Sequence, residues 1–546
     1  MIHGRSAAAA AALFSVWALG AATAAEAPPP APPKLIVAIS VDQFSADLFG
    51  EYRPLYTSGL KRLSSGAVFP AGYQSHAATE TCPGHSTILT GSHPARTGII
   101  ANDWYDQSLT RADKKVYCTE DPTVPGSSFS NYVVSPHFLK ALTLGDRMKA
   151  ANAQSRVVSV AGKDRAAVMM GGHAIDEPWF WMGRSFVSLP DHKGAAPATV
   201  AKVNAAVAAA LAKPYNPVVP GVCASHATAV AVGDATVGSP PVRKADDQFG
   251  YRASVEFDRA ITDVAVGLIK ELKLGQGSAP DVLSIGLSGT DFTGHTYGTE
   301  GAEMCAQVLN VDENVGRILA ALDAQHVPYV VVLTADHGGH DLPERNQLHA
   351  MPDAVRADRA LLPSSVGKSL AEEFKLSGPV LIGGAPFGDV YLAKDIPSEL
   401  RARVLAAAKA RYLAHPQVEA VFTWDELRRM SNPTGPVDEW SLAQRFRANF
   451  DPERSGDLLI ALKPHVTPLP DPRLTRATHG SPWNYDRRVP MLFWRPGQVN
   501  FEQPLPVETV DILPTLAALI SLPIPAGEID GRCLDLDPGA GSTCGT

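Results

Sequence analysis

Lys34–Val41 reads KLIVAISV and runs straight into Asp42, and this short stretch decides the fold. A run of this length, rich in Ile and Val and free of alternating polar residues, is expected as a strand buried on both faces, the usual condition of a parallel sheet. The same reading applies to Arg156–Val160, Asp281–Leu287, Val327–Thr334 and Val489–Trp494, each expected as a buried parallel strand. Helical periodicity over Val255–Leu274 and Glu303–Asp323 falls between them. Strands alternating with helices predict a three-layer α/β/α sandwich around a mainly parallel sheet. Ligands of such sheets sit outside the carboxyl ends of the strands, and Asp42, Lys163, Asp291 and Asp336 each come just after one.

Outward from these strands, two stretches break the alternation. Residues 172–247 carry Trp179-Phe180-Trp181, an Ala-rich helix near Ala198–Leu211 and a Pro-rich loop, and are expected to form a cap insertion over the site. Residues 347–455 are expected to be irregular. At the amino end, Arg5, the apolar run Ala7–Leu19 and the A-x-A pattern at Ala22–Ala24 predict a secretory signal peptide over residues 1–25. A Pro-rich leader over 26–34 and one catalytic domain over 35–546 would follow, placing the mature chain in the periplasm or outside the cell. No later apolar run is long enough to span a bilayer, so no membrane anchor is expected after cleavage. The charge of −8 is too mild to argue for any partner and speaks against nucleic acid. Six cysteines allow up to three bridges; Cys533 and Cys544 form the expected local pair, and the others are left open.

Chemistry concentrates at the strand ends. Asp336-His337-Gly338-Gly339 offers a carboxylate and an imidazole to one cation. Asp291 and His295 stand four residues apart, so one helical turn or a tight loop would aim both at one ion. Asp42 and His479, in Thr478-His479-Gly480, complete a set of three carboxylates and three imidazoles. Mixed nitrogen and oxygen donors suit zinc better than magnesium. A further ion such as calcium is left open, with no motif for it. In Thr79-Glu80-Thr81-Cys82-Pro83-Gly84-His85, the proline and the following Ile88-Leu89 mark a helix start. Thr81 is then either an N-cap or a nucleophile held where unpaired N–H groups favour an anion. Lys163 and Arg165, two apart after a strand, are expected in extended backbone with both side chains on one face. Trp179, Trp181, His85, His340 and His349 are expected to be structural.

Together these residues resemble the alkaline phosphatase superfamily, specifically its monomeric, PafA/PhoK-like bacterial branch with a threonine nucleophile. The resemblance runs from Leu35 to about Pro514 and rests on Val41-Asp42-Gln43, Glu80–His85, Ile100–Trp104, Gly162–Arg165, Asp291–His295, Asp336–Gly338 and Thr478–Gly480. It implies hydrolysis of small phosphate monoesters through a phosphothreonine at Thr81, with two zinc ions per chain. Asp291, His295 and His479 would hold one ion; Asp42, Asp336, His337 and the Thr81 oxygen would hold the other. Asn102, Lys163 and Arg165 would contact the phosphoryl oxygens. A sulfatase is disfavoured, because Pro83 directly follows Cys82 and no arginine closes that family's motif. A nucleotide pyrophosphatase or phosphodiesterase remains the enzyme rival, and a non-enzymatic phosphate-binding protein the rival from another class. Lys163 and Arg165 favour the monoesterase, since two extra cations reward the greater charge of a monoester.

Overall fold

Alternate residues of Leu35–Val41, strand β1, enter two different cores, so the sheet is covered on both faces. Leu35, Val37, Ile39 and Val41 join one core with residues such as Phe257 and Val311, while Ile36 and Ala38 join another with Ile88 and Leu516. Each fully buried aliphatic side chain contributes about 1.5–3 kcal/mol, so a strand placed in both cores is strongly fixed in register. The computed structural model describes Met1, Gly4 and residues 31–544 apart from 350, 474 and 540. The chain divides into a unit over Met1–Ala31 and a unit over Pro32–Thr546. The expected signal peptide lies outside the described residues save Met1 and Gly4, as do residues 26–30 of the expected leader. Everything below concerns the second unit.

Its sheet contains β1, β2 (Ala67–Tyr73), β3 (Val157–Ala161), β4 (Glu177–Met182), β5 (Ser185–Val187), β6 (Asp281–Leu287), β7 (Tyr329–Thr334), β8 (Arg488–Trp494) and β9 (Phe501–Glu502). The spatial order is β9-β2-β8-β7-β1-β6-β3-β4-β5, with Val507–Glu508 also paired to β2. The strands β7, β1, β6 and β3 are neighbours and mutually parallel, with Ser40 opposite Thr334 and Val41 opposite Leu287. Four carboxyl ends therefore lie side by side, about 5 Å apart from strand to strand. One face is covered by α3 (Ala198–Leu211), α4 (Val255–Glu271) and α6 (Ala302–Asp323); the other by α1 (Thr81–Thr90) and α7 (Ile512–Leu519). Two further helices, α2 (Asp164–Gly171) and α5 (Gly289–Tyr297), follow β3 and β6 directly. The sandwich expected from the strand pattern is present.

Three expectations need correction. Val489–Trp494 is a buried strand, but β8 pairs antiparallel with β7 and with β2. Its chain arrives from the loop carrying His479, on the carboxyl side of the sheet, and must run back through it. Trp179-Phe180-Trp181 lies in β4, which extends the sheet in parallel beside β3, and Trp179 and Trp181 are buried in the main core. The amphipathic α3 also packs there, through Val200, Val203, Val207 and Leu211. Residues 347–455 are largely regular: with Leu458–Leu462 they build a second sheet, in the order Leu381–Ile382, Gly388–Leu392, Leu458–Leu462, Val418–Thr423, over a core of its own.

The helix α1 meets the sheet at closest range through Gly84. A Cβ on this residue would stand 1.9 Å from the Asp336 carbonyl oxygen, so only glycine lets α1 lie against the end of β7. Gly84→Ala is expected to destabilise the protein by about 1–3 kcal/mol, measured by denaturant unfolding, because the clash is with backbone and has no flexible side chain to yield.

Candidate active site

Asp336, Asp42, Asp291 and Lys163 follow β7, β1, β6 and β3, so their side chains converge across four adjacent strand ends. All four are buried. The helix α5 resolves the spacing of Asp291 and His295 in favour of one helical turn, with Asp291 in its first turn and His295 in its last. His295 Nε2 and His479 Nε2 each lie 3.3 Å from Asp291 Oδ1. In the neighbouring cluster His337 Nε2 lies 3.5 Å from Asp42 Oδ1 and 3.3 Å from Asp336 Oδ2. Asp42, Asp291 and His337 also converge as a trio, so Asp291 stands between the clusters. The His337 and His479 rings stack with centroids 3.6 Å apart, which joins the two groups into one site.

These residues fit metal ions. Asp42 Oδ1, Asp291 Oδ1, Asp336 Oδ2 and His337 Nε2 are buried atoms with no hydrogen-bond partner. Two donors on one tetrahedral zinc, with bonds near 2.0–2.1 Å, are separated by about 3.3 Å, the spacing found in both clusters. The imidazoles are prepared for the role: Nδ1 of His295 faces Ala477 O at 2.8 Å, Nδ1 of His337 faces Gly338 O at 2.9 Å, and Nδ1 of His479 faces Thr79 O at 2.7 Å. A carbonyl only accepts, so Nδ1 carries the proton in each ring and Nε2 keeps its lone pair for an ion. Burial pushes His337 down to about 3, keeping it neutral. Burial, then the Asp291 and Asp336 carboxylates, raise Asp42 well above its usual value. Burial also works to raise Asp291, but His295 and Lys163 hold it well below the carboxylate range.

Thr81 opens α1, with Glu80 as N-cap residue in extended backbone. Its Oγ1 lies 3.3 Å from Lys163 Nζ and 3.4 Å from Arg165 Nη2. Lys163 Nζ also stands 2.5 Å from Asp291 Oδ2 and 2.6 Å from Asp42 Oδ2, so one ammonium bridges the two clusters. The expectation of extended backbone through Lys163 and Arg165 is corrected. Lys163 is the extended N-cap of α2, whereas Arg165 is already helical. Both still reach Thr81, because a strand-to-helix turn folds the second side chain back over the first. Asn102 joins from the other side: its Oδ1 accepts the Cys82 N–H at 2.8 Å, which leaves Nδ2 free to donate. The site therefore assembles every residue expected for it.

Several supporting residues escaped the sequence. Tyr117 donates its hydroxyl proton to Asp164 Oδ1 at 3.0 Å and accepts from Arg165 Nη1 at 3.0 Å; Thr119 donates to Asp164 Oδ2 at 3.1 Å. Asp164 thus turns away from Thr81 and orients Arg165 through Tyr117. The disulfide Cys82–Cys118 ties this segment to the residue after Thr81 and leaves Cys82 without a free thiol. The other bridges are Cys223–Cys305 and the expected Cys533–Cys544. His85 is more than packing: its Nδ1 lies 3.1 Å from Asp336 Oδ2 and 2.9 Å from Thr81 O, at the junction of α1 and the cluster. His340 binds Thr467 Oγ1 at 2.9 Å, and His349 is exposed.

The family model for type I phosphodiesterases and nucleotide pyrophosphatases matches residues 36–482. Alkaline phosphatase PhoD of Zymomonas mobilis subsp. mobilis is 56% identical over 515 residues, covering 94% of this chain and 89% of that protein. Alkaline phosphatase PhoK of a Sphingomonas species is 55% identical over 523 residues, covering 94% and 93%. The solved structure of wild-type alkaline phosphatase PafA superposes with a TM-score of 0.80 at 25% identity, covering 93% of this chain and 99% of that one. A second PafA structure, with a TM-score of 0.79 at 25% identity and the same coverage, is of a variant in which a threonine, an asparagine, a lysine and an arginine are replaced together.

The hydroxyl of Tyr117 generates a prediction of its own. Tyr117→Phe should lower kcat/KM for a phosphate ester about tenfold, the value of one hydrogen bond to a charged group, and weaken inhibition by inorganic phosphate in parallel. Reduced turnover with unchanged phosphate inhibition would assign Tyr117 to packing alone.

Proposed function

This chain belongs to the type I phosphodiesterase and nucleotide pyrophosphatase family and is a PafA/PhoK-like phosphatase of the alkaline phosphatase superfamily; on that premise we propose that it is an exported, zinc-dependent monoesterase whose nucleophile is Thr81. The observation that carries this reading is the position of Thr81 Oγ1, at a helix start and within 3.4 Å of both Lys163 and Arg165. Asp291, His295 and His479 would hold one zinc, and Asp42, Asp336, His337 and Thr81 the other. When bound, the two ions supply electrostatic stabilisation of the attacking and leaving oxygens and favour the Thr81 alkoxide. Thr81 Oγ1 attacks phosphorus in line, the bond to the leaving alcohol breaks, and water then hydrolyses the phosphothreonine to release phosphate. Lys163, Arg165 and Asn102 Nδ2 hold the non-bridging oxygens through both steps, which is most of what phosphoryl transfer asks of a protein.

The replacement of one threonine, asparagine, lysine and arginine in the PafA variant supports the grouping of Thr81, Asn102, Lys163 and Arg165, which share those residue types. The family model is described by diester chemistry, so a diesterase is the second reading. Charge separates the two. A monoester dianion offers Lys163 and Arg165 an oxygen that a diester has esterified, and charge-assisted contacts contribute about 1.5–3 kcal/mol each.

Three outcomes are expected. Elemental analysis should find about two zinc ions per chain, and chelation should abolish turnover until zinc is restored; full turnover in demonstrably metal-free protein would sink the metal reading. Thr81→Ala should remove most activity with the bound metal largely retained, and Thr81→Ser should keep an appreciable part, since the hydroxyl remains. The double substitution Lys163→Ala, Arg165→Ala should cut monoester kcat/KM about a hundredfold, and diester kcat/KM with the same leaving group much less. An equal loss on both would put the diesterase first.

A further inference from the structure

Beside Thr81, between the main sheet and the second one, lies a cavity of about 280 Å³. Its wall is continuous with the site. Glu80 precedes Thr81, Ala101 and Asp103 flank Asn102, and Gly480 follows His479. The second sheet supplies the opposite wall, with Phe387 and Asp389. A leaving group attached to a phosphoryl group at Thr81 would have this space open to it.

The polar groups of the cavity all ask for the same thing. Glu80 Oε2 accepts the Asn102 N–H at 2.7 Å, and Oε1 has no partner among the described residues. Asp389 Oδ1 accepts the Gly456 N–H at 2.7 Å, and Oδ2 likewise has none. Asn449 is 1% exposed; its Nδ2 donates to Ile100 O at 2.9 Å, and its Oδ1 is buried without a partner. Only Asp103 is answered, by Lys115 at 2.9 Å. Three acceptors, two of them carboxylates, thus share a space in which the one lining cation, Lys115, is paired with Asp103, and Arg165 reaches Glu80 only as a minor charge. Burial raises the Asp389 carboxyl to about 7, the sign of a charge left without a counter-ion. Two carboxylates beside a phosphate site repel the substrate's phosphoryl group, a cost that stands unless the substrate brings positive charge of its own. An apolar surface suited to such a charge is present: Phe387 lies over Gly480, where a Cβ would come within 3.2 Å of its ring and 3.6 Å of Glu80 Cγ.

We propose that this cavity is the leaving-alcohol subsite, and that the enzyme prefers phosphate monoesters whose alcohol carries an ammonium group. Glu80, Asp389 and Asn449 take the three ammonium protons, Phe387 covers the methylene chain, and Lys163, Arg165 and Asn102 take the phosphoryl group at the other end. The net reaction is hydrolysis: water is consumed, the ester P–O bond breaks, and a free aminoalcohol and inorganic phosphate leave. A neutral polyol would satisfy the acceptors but not the two negative charges, so charge decides between the candidates. This inference rests on the phosphatase reading above.

The test compares O-phosphoethanolamine with n-propyl phosphate, which puts a methyl group where the ammonium stands, at about pH 8.5, above the Asp389 value and below that of a primary ammonium. In the wild-type zinc enzyme kcat/KM should favour phosphoethanolamine about tenfold or more, and in Asp389→Asn that ratio should fall about tenfold. A wild-type ratio of one or less overturns the subsite even if the variant fails to fold. A ratio that Asp389→Asn leaves unchanged overturns it too, as does an equal loss on glycerol phosphate, which would make the cavity a polyol site. If p-nitrophenyl phosphate and both esters all go unhydrolysed, the phosphatase reading falls and the subsite with it.

Discussion

Three buried carboxylates at the ends of three adjacent parallel strands are the constraint on which the rest of this molecule depends. Unit charges about 5 Å apart repel by about 3 kcal/mol at an effective dielectric constant near 20, and Asp42, Asp291 and Asp336 cannot separate, because the sheet register fixes them. The fold answers with positive charge and donors drawn from everywhere nearby. Lys163 arrives from the next strand and bridges Asp42 and Asp291. Asp336 Oδ1 accepts the Gln43 and His337 N–H groups at 3.1 and 3.0 Å, the first from a residue held at a φ of 62°. That left-handed backbone is uncommon for a residue with a side chain, and it turns the N–H after Asp42 towards the neighbouring carboxylate. One ammonium against three carboxylates is too little charge, and His337, kept neutral by burial, adds none. Divalent cations are what such a rim is built to hold.

Positions at strand ends were legible in the sequence for the same reason that they carry chemistry. A strand buried on both faces is a near-continuous apolar run, so the polar residue that ends it stands out, as Asp42, Asp291 and Asp336 do. The direction of a strand leaves no such trace: Val489–Trp494 is as apolar as its parallel neighbours and runs the other way because of where the preceding loop begins. The second sheet was illegible because its strands are short and half-covered; Leu381–Ile382 and Val418–Thr423 each mix fully buried positions with less buried ones. Trp179-Phe180-Trp181 was misplaced by its neighbourhood, since the short hairpin that β4 forms with β5 at the end of the sheet resembles an insertion. The residues that converge at the strand ends and around Thr81 were singled out through the order of motifs, whereas Tyr117 and Thr119 were not, because their partner lies in α2, 47 and 45 residues along the chain.

Thr81 is the part of the site that the sheet does not position. Thr81 sits at the start of α1, which makes a close backbone approach to the end of β7 at Gly84, and three ties hold it there. The Cys82–Cys118 bridge fixes the first turn to the segment carrying Tyr117 and Thr119. Asn102 Oδ1 satisfies the Cys82 N–H, and Pro83 has none to satisfy, so the donors that a helix start leaves open are nearly used up around Thr81. His85 connects the Thr81 carbonyl to Asp336, one turn along α1. Because a disulfide contributes to this placement, the arrangement suits an oxidising compartment.

Charge divides the site along the line of the reacting bond. On the phosphoryl side stand Lys163, Arg165 and the ligand clusters; on the alcohol side stand Glu80 and Asp389, with Asp103 neutralised by Lys115. A diester carries a second alcohol on the phosphoryl side, which would bring an uncharged substituent against Lys163 and Arg165 and take one non-bridging oxygen from them. A monoester with a neutral alcohol satisfies the first side and meets bare carboxylates on the second. Only a substrate with its negative charge at one end and positive charge at the other matches both halves at once. The same division explains why the Arg165 guanidinium is fastened by Tyr117 and Asp164 instead of being left mobile: without that anchor, Glu80, whose carboxylate already feels the Arg165 charge, would compete for it. The Tyr117 hydroxyl, bonded to both Asp164 and Arg165, holds the guanidinium on the Thr81 side.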